Sequence, residues 1–572
     1  MLDLQAEPGT RLPADDDRSE PSDRSRRRTR PLWRVAAVIG LLAFAVRVWA
    51  PGPVTQTVDE YAWYMSGHAF RKGVVDWNLA NTSTSALMGP WMTQPGVTTM
   101  WAGAIGHGAV EAGEKLGVVA DEPPDTHLDR ARTLRGGRAV VSLFCAIALA
   151  ALIVVAAKLV GRRAAVVAGV LLAAEPFLVG HSGVLHTDAM VTMFGALAIV
   201  ALAAACRERA GPVDRKLLVV AGVAAGLASL TKLNGIALVL SGAAVVLVLQ
   251  TGWRRATLAA SLRRSVLVGL AFLGVAVATF FVAFPALWVD PWSELLRLPH
   301  ALDEVGVRNY TYFRYDVTAD PGLPYYPYAL AMRLSPWLLL AGAASVVASV
   351  VHLVRRALRR GADDGPSPWP VPSVLAMLLL APVPYAVLIT VTSQKYDRYA
   401  LPLFPFLALL AGVGIAVAAE HWSERFGDRL LAPAGLAAGA AILAVTVALQ
   451  PYAISFANPM VGGQQRARNN ILLGWGEGYE VLGAEIDRRE AGRCDDVRIY
   501  TSNVTAGFIA LPCGTIVPPA DLGPGDYVIR YISATQRYPG NRIDLDVARR
   551  GELVKVVDIY GVHYAELWQY PD

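Results

Sequence analysis

Apolar runs of roughly 16 to 21 residues recur along this chain, and alternate ones are followed by a short arginine-rich turn. At 1.5 Å per residue each run is long enough to cross most of a ~30 Å hydrocarbon core as a helix. The runs fall at about 33–50, 139–157, 164–179, 189–206, 266–286, 334–351, 374–391, 400–419 and 431–449. A further stretch, 217–249, contains one charge, Lys232. As one helix it would be roughly 50 Å long, so two short spans hinged at Lys232 fit better. Eleven spans are therefore expected, in a mostly α, polytopic membrane protein.

The basic residues fix a sidedness. Arg24 to Arg30 precede the first run, and Lys158, Arg162/Arg163, Arg207/Arg209/Arg215, Arg254/Arg255/Arg263/Arg264, Arg355/Arg356/Arg359/Arg360 and Arg425/Arg429 fall on one side. The positive-inside rule puts that side, and the N-terminus, in the cytoplasm. Eleven spans then leave residues 451–572 outside. Lys395 and Arg398 break the rule, because they sit at an outer span end; binding an anion would explain them.

The connecting segments differ in kind. Residues 1–30 are polar, carry no h-region, and are expected to be a disordered basic tail without a cleavable signal. The first outer loop, 51–136, carries aromatic stretches at Tyr61–Phe70 and Trp91–Trp101, as interfacial helices do. The outer segment 287–330 is rich in Trp and Tyr. The tail, 451–572, shows helical periodicity at 479–490 and strand patterns at 497–500, 527–532, 553–559 and 563–568, with a hairpin near Gly561. It is expected to be a small α/β unit, without a catalytic motif, that recognises the acceptor or packs over the outer face. The membrane unit is expected to span 31–450.

Composition narrows the class. Of 572 residues 54% are hydrophobic and 17% charged, below the quarter usual for a soluble protein. The net charge of +5 lies mostly in loops, which speaks for topology and against nucleic acid. Cys145 and Cys206 fall in apolar runs; Cys494 and Cys513 fall in the tail, where they can pair outside the cytosol.

Topology brings four charged sites to one face: Asp59/Glu60, His186/Asp188, Lys232 and Lys395/Arg398. A carboxylate can take the proton of an acceptor hydroxyl, and Lys or Arg can stabilise a phosphate leaving group. Each residue also has a bland reading. The acidic pair could start a solvated helix, Asp188 could cap a span, His181 and His186 could be interfacial, Lys232 could snorkel, Arg398 could anchor a span, and Asp397 could pair with a neighbour.

The Asp59-Glu60 pair, Leu185-His186-Thr187-Asp188, Gly226–Lys232 and Lys395–Pro402 resemble, in order and sidedness, the protein O-mannosyltransferase and aminoarabinose transferase superfamily. The resemblance covers roughly 30–450. It implies a GT-C fold and inverting transfer of a sugar, mannose or a related one, from a polyprenyl-phosphate donor at the plasma membrane. Asp59 matches the general base, with Glu60 beside it. Lys395, Arg398 and Arg138 match donor-phosphate cations, and Asp188 matches an acidic residue that positions acceptor or sugar; by their place, Lys232 is expected to join the phosphate cations and His186 and Tyr399 the positioning of acceptor or sugar. The acceptor would be a protein, lipid or wall glycan. No cofactor is required. Aminoarabinose transferases hold a metal beside the first-loop acid, but its histidine has no match here, so no metal is assigned, and a divalent ion at Glu60 stays open. The segments Asn458–Gly463 and Gly474-Trp475-Gly476-Glu477-Gly478 resemble the ends of bacterial members of uncharacterised acceptor. The 287–330 segment is too short for the β-trefoil of eukaryotic protein-mannosylating members.

Two other functions compete. A lipid or sugar transporter or flippase would tend to show repeats and midplane charges; no repeat is evident and the polar groups cluster at one outer face. A pyrophosphate-lipid oligosaccharyltransferase would show Asp-X-Asp and Trp-Trp-Asp motifs, and neither stands in a suitable place.

Overall fold

Every apolar run folds as a helix, because backbone in lipid must satisfy its own hydrogen bonds. The computed structural model describes residues 31–49, 54–83, 95–207, 211–251, 257–297, 310–359, 368–426, 429, 431–490 and 493–571. The 1–30 tail with its arginine run, Trp91 and Met92, Arg209, Arg254, Arg255, Arg360 and the 298–309 part of the outer segment lie outside the described residues.

The helices run in the order α1 (Leu32–Val48), α2 (Glu60–Val75), α3 (Val97–Lys115), α4 (His127–Val160), α5 (Arg162–Ala173), α6 (Pro176–Ser182), α7 (Asp188–Ala205), α8 (Arg215–Thr231), α9 (Leu233–Gln250) and α10 (Leu258–Ala283). Next come α11 (Tyr325–Arg333), α12 (Pro336–Leu358), α13 (Pro372–Leu380), α14 (Val383–Val391), α15 (Phe404–Phe426) and α16 (Leu431–Ala448). Among the described residues, seven helical segments can cross a membrane by length and composition, or up to nine if each bent pair is one span. With α1 and α8, at 17 residues each, every apolar run of the sequence has its helical counterpart. The most buried is α7, enclosed on all sides, whereas α10 presents nearly all its surface outward.

Three details depart from the sequence expectation. The run at 164–179 is two helices bent by 65° at Glu175-Pro176, and the run at 374–391 breaks before Pro382-Val383, since a proline ring clashes with the preceding turn. The last ten residues of the first outer loop are helical: α4 starts at His127, where the Thr126 side chain accepts from the Asp129 N–H. The hinge at Lys232 is present, with extended backbone (φ −160°, ψ 143°) between α8 and α9.

The outer segment carries a two-stranded hairpin, β1 (Thr311–Phe313) and β2 (Asp316–Thr318), and the tail forms a five-stranded sheet in the order β4-β3-β5-β7-β6, from β3 (Arg498–Thr501), β4 (Thr515–Ile516), β5 (Tyr527–Tyr531), β6 (Glu552–Ile559) and β7 (Val562–Gln569). Strands β3 and β5 are parallel; β5, β7 and β6 are antiparallel. The β6–β7 hairpin turns through Tyr560 and Gly561, both at positive φ, as a two-residue turn requires. Cys494 and Cys513 form a disulfide. The tail has its own hydrophobic core around Tyr479, Leu482, Ile529 and Leu567.

That tail is bolted onto the end of the helical bundle where Asp59 lies. The Gln56 amide donates to the Thr505 carbonyl (2.8 Å) and accepts from the Ile509 N–H (2.6 Å). Asn458 N–H donates to the Met332 carbonyl (2.7 Å), and Val58 N–H donates to the Trp475 carbonyl (2.9 Å). A Cβ at Gly180 would lie 2.2 Å from the Ile454 nitrogen, and one at Gly476 2.1 Å from the Gln56 carbonyl oxygen. Only glycine permits these approaches.

Candidate active site

The site starts with helix ends. Asp188 is the first residue of α7, where the dipole favours an anion. Lys232 sits at the break that frees it from both flanking helices. Arg398 lies near the start of a 3₁₀ segment, Asp397–Leu403, that leads into α15 and contains Pro402. His186 comes from the turn between α6 and α7, and Asp59 from the residue before α2.

These five side chains meet. Lys232 Nζ donates to Asp188 Oδ1 at 2.7 Å, and Arg398 Nε lies 3.3 Å from Asp188 Oδ2. His186 bridges the two acids, with Nδ1 3.2 Å from Asp188 and Nε2 3.5 Å from Asp59. Arg398 Nη2 lies 3.6 Å from Asp59 Oδ2. The Lys232 ammonium stands over the Tyr399 ring at 4.5 Å.

Exposure separates the two acids. The Asp188 side chain is 2% exposed and ringed by cations, so it organises the charges; the Asp59 side chain is 38% exposed. Asp59 opens onto a cavity of about 180 Å³, which Asp188 does not line. Enclosure raises the Asp59 carboxyl, but hydrogen bonding from His186 and the Arg398 charge outweigh it and hold the group below the usual carboxylate range. For His186, burial works against the cation, yet Asp188 and Asp59 together raise it above its ordinary value. At neutral pH Asp59 is therefore an ionised carboxylate facing the cavity.

Glu60 and Arg138, expected at the reaction centre, form a different unit. Glu60 is fully buried. Its Oε1 accepts from Arg138 Nε (2.7 Å) and Leu185 N–H (2.7 Å); its Oε2 accepts from Arg138 Nη2 (2.6 Å) and Thr57 N–H (2.8 Å). The Thr57–Glu60 contact ties the segment before α2 back onto the first residue of that helix. The four donors leave this carboxylate no free oxygen for a substrate or for a divalent cation, so a metal held by Glu60 does not fit. Arg138 is likewise spent on Glu60 and the Thr55 carbonyl rather than open to a phosphate.

Lys395 also stands apart. Its ammonium is buried against Asp320 Oδ1 (2.6 Å) and the Thr392 carbonyl (2.6 Å), outside the Asp59 cluster. Asp397 takes the bland role: it accepts from Arg333 Nε at 2.7 Å.

The tail supplies what the sequence reading did not assign. Trp475 lies against Arg398 (4.6 Å from guanidinium carbon to ring centre) and His186 (4.8 Å between ring centres). Its loop is held by Glu477, which accepts from the Trp475 N–H, the Ser455 hydroxyl and the Tyr531 hydroxyl. Arg333 and Arg537 line the same cavity. The Gly-Trp-Gly-Glu-Gly run was the available signal, because glycines at positive φ around a lone Trp mark a shaped loop.

Comparison with known proteins agrees with this architecture. The family model described as "Dolichyl-phosphate-mannose-protein mannosyltransferase" matches residues 131–287. No curated protein matches the chain. Among solved structures, ArnT from Cupriavidus metallidurans in the apo state is 15% identical, with 94% of this chain and 97% of that chain covered and a TM-score of 0.50. The same protein bound to undecaprenyl phosphate gives 16% identity over 94% and 97%, with a TM-score of 0.48. The Archaeoglobus fulgidus oligosaccharyltransferase in the apo form gives 12% identity over 93% and 74%, with a TM-score of 0.46. The chain is a multi-pass membrane protein with a GT-C fold like that of the ArnT structure, and residues 131–287 match the mannosyltransferase family model.

Proposed function

We propose that this protein is an inverting glycosyltransferase that moves a sugar, mannose or a related one, from a polyprenyl-phosphate donor to an acceptor hydroxyl. The observation that carries the reading is one ionised carboxylate, Asp59, open to a cavity and 3.6 Å from the Arg398 guanidinium. The matching family, that of dolichyl-phosphate-mannose-protein mannosyltransferases, supports the donor class.

In this mechanism the acceptor oxygen attacks the anomeric carbon, the bond to the phosphate oxygen breaks, and Asp59 receives the hydroxyl proton. The lipid phosphate leaves with one more negative charge, beside Arg398, with Lys232 and His186 behind it. Asp188 holds those three groups in place. Glu60 and Arg138 are positioning residues: they fasten the start of α2 to Leu185, next to His186. The proposed orientation puts this site and the tail outside the plasma membrane, since arginines cluster at the opposite helix ends.

The test is transfer from radiolabelled polyprenyl-phosphate sugars in membranes, wild type against Asp59→Asn. Transfer by the wild type and its loss in the variant at equal protein level support the reading. Equal activity in the variant removes Asp59 from the mechanism. Membranes that consume no donor of the panel overturn the enzyme reading in favour of lipid transport.

A further inference from the structure

Beside the catalytic cavity lies a second, larger one of about 420 Å³, within the range of ligand sites. Its floor is the face of β5 and β7 that carries Arg530, Tyr564 and Glu566, with Tyr531 at the end of β5 beside it. One wall is a hairpin of the outer segment, β1 (Thr311–Phe313) and β2 (Asp316–Thr318), which contributes Tyr312 and Tyr315. Tyr564 lines both cavities, and Ile532 and Gln536 of this one are chain neighbours of Ser533 and Arg537 of the other.

The hairpin is built to present a ring. Its two turn residues, Arg314 (φ 53°) and Tyr315 (φ 68°), are left-handed without being glycine, a conformation costly for a large side chain. Their N–H groups donate to the Asn470 and Asn469 carbonyls (3.2 and 3.0 Å), which fixes the turn to the tail. Tyr315 is nevertheless 71% exposed, so packing does not account for its being aromatic. Arg530 gives one N–H to Glu566 (2.7 Å), while its Nε is a buried donor with no partner among the described residues.

We propose that this groove binds a saccharide chain, so that the acceptor is a glycan whose end reaches Asp59. The inference rests on the glycosyltransferase reading and names its acceptor class. Flat tyrosine rings beside Arg, Asn and His side chains suit the CH faces and hydroxyls of sugars. An extended peptide would seek an open strand edge, but β5 and β7 are interior strands with both edges paired. A lipid tail would need an apolar lining, which charged Arg468, Arg530 and Glu566 deny it.

The experiment is saturation-transfer NMR on the full chain in detergent, with neutral oligosaccharides of three to six mannose, glucose or N-acetylglucosamine units. A Ser/Thr-rich peptide of similar length serves as the comparison probe. Transfer to at least one oligosaccharide series is expected. Tyr315→Asn, which suits a left-handed turn and removes the ring, should weaken binding about fivefold, and Tyr315→Phe should restore it. Absence of transfer to every oligosaccharide, unchanged binding by Tyr315→Asn, or binding of the peptide alone overturns the proposal. Donor consumption by the same preparations, wild type and Asp59→Asn, reads the enzyme separately. Donor turnover without sugar binding sinks only the groove; sugar binding without donor turnover sinks only the transferase.

Discussion

Asp59 and Glu60 are consecutive residues with the same functional group, and the fold gives them opposite situations. Asp59 faces a cavity and meets its cations at 3.5 and 3.6 Å, with room left for a reacting hydroxyl. Glu60 is sealed, with four N–H donors within 2.8 Å. A single peptide bond separates an acid left open to the cavity from an acid used to fix the scaffold that presents it. The difference teaches that charge at a membrane boundary marks a site without saying which residue reacts; saturation of the oxygens does.

The largest expected effect tests the open acid. Asp59→Asn should lower transfer by about 10² to 10⁴-fold, the usual contribution of a positioned general base. The melting temperature in detergent should barely move, because Asp59 is partly exposed and makes long contacts. A variant that unfolds instead would erase the distinction between the two acids.

The closed acid should behave the other way. Glu60→Ala leaves Arg138 without its carboxylate and should cost about 3–5 kcal/mol of stability, read as a lower melting temperature and poorer yield. The double variant Glu60→Ala, Arg138→Ala should recover part of that loss. If Glu60→Ala is stable and inactive, Glu60 belongs with the chemistry and the comparison fails.

Much of this was legible from the residues. The apolar runs gave the helices, the lone Lys232 gave the break, and period-two patterns gave four of the five tail strands. The convergence of Asp59, His186, Asp188, Lys232 and Arg398 followed from sidedness. The roles of Glu60, Arg138 and Lys395 did not. Lys395 is three residues from Arg398, but it lies before the 3₁₀ turn and meets Asp320, 75 positions away in the chain. Such pairings depend on side-chain geometry between distant segments, which periodicity does not encode. The roof made by Trp475 was out of reach for the same reason: a sheet domain had to dock before a tryptophan 416 residues from Asp59 could touch its partner cation.

A smaller effect sharpens the comparison at the cation. Arg398→Lys keeps the charge but loses the planar fork and its stacking on Tyr396 and Trp475, at 4.4 and 4.6 Å. Transfer should fall about 10-fold to 10²-fold. Unchanged transfer would mean that charge alone matters there and that the aromatic roof is packing.

The smallest effect is pH dependence, and its two limbs belong to the open region alone. Asp59 is held below the usual carboxylate range, so it stays ionised as the medium is acidified past the point where ordinary carboxylates protonate. Transfer should therefore persist into mild acid and fall only as pH drops through the lowered value; the stability this group contributes is present above its unfolded value and is lost in the same fall. His186 is held above its ordinary 6.5, so its stabilising charge is complete below 6.5 and is lost as pH rises through the raised value. Transfer should decline a few-fold on that alkaline side, as the cation linking Asp59 to Asp188 disappears. Lys232 and Arg398 also face Asp188, so the variant at the imidazole decides which group carries the limb. His186→Gln should show lower transfer with the alkaline limb gone and the acid limb moved to higher pH, because Asp59 then loses the partner that depresses it. An alkaline limb that survives in His186→Gln would assign the titration to another group and leave Arg398 as the sole cation tuning the base.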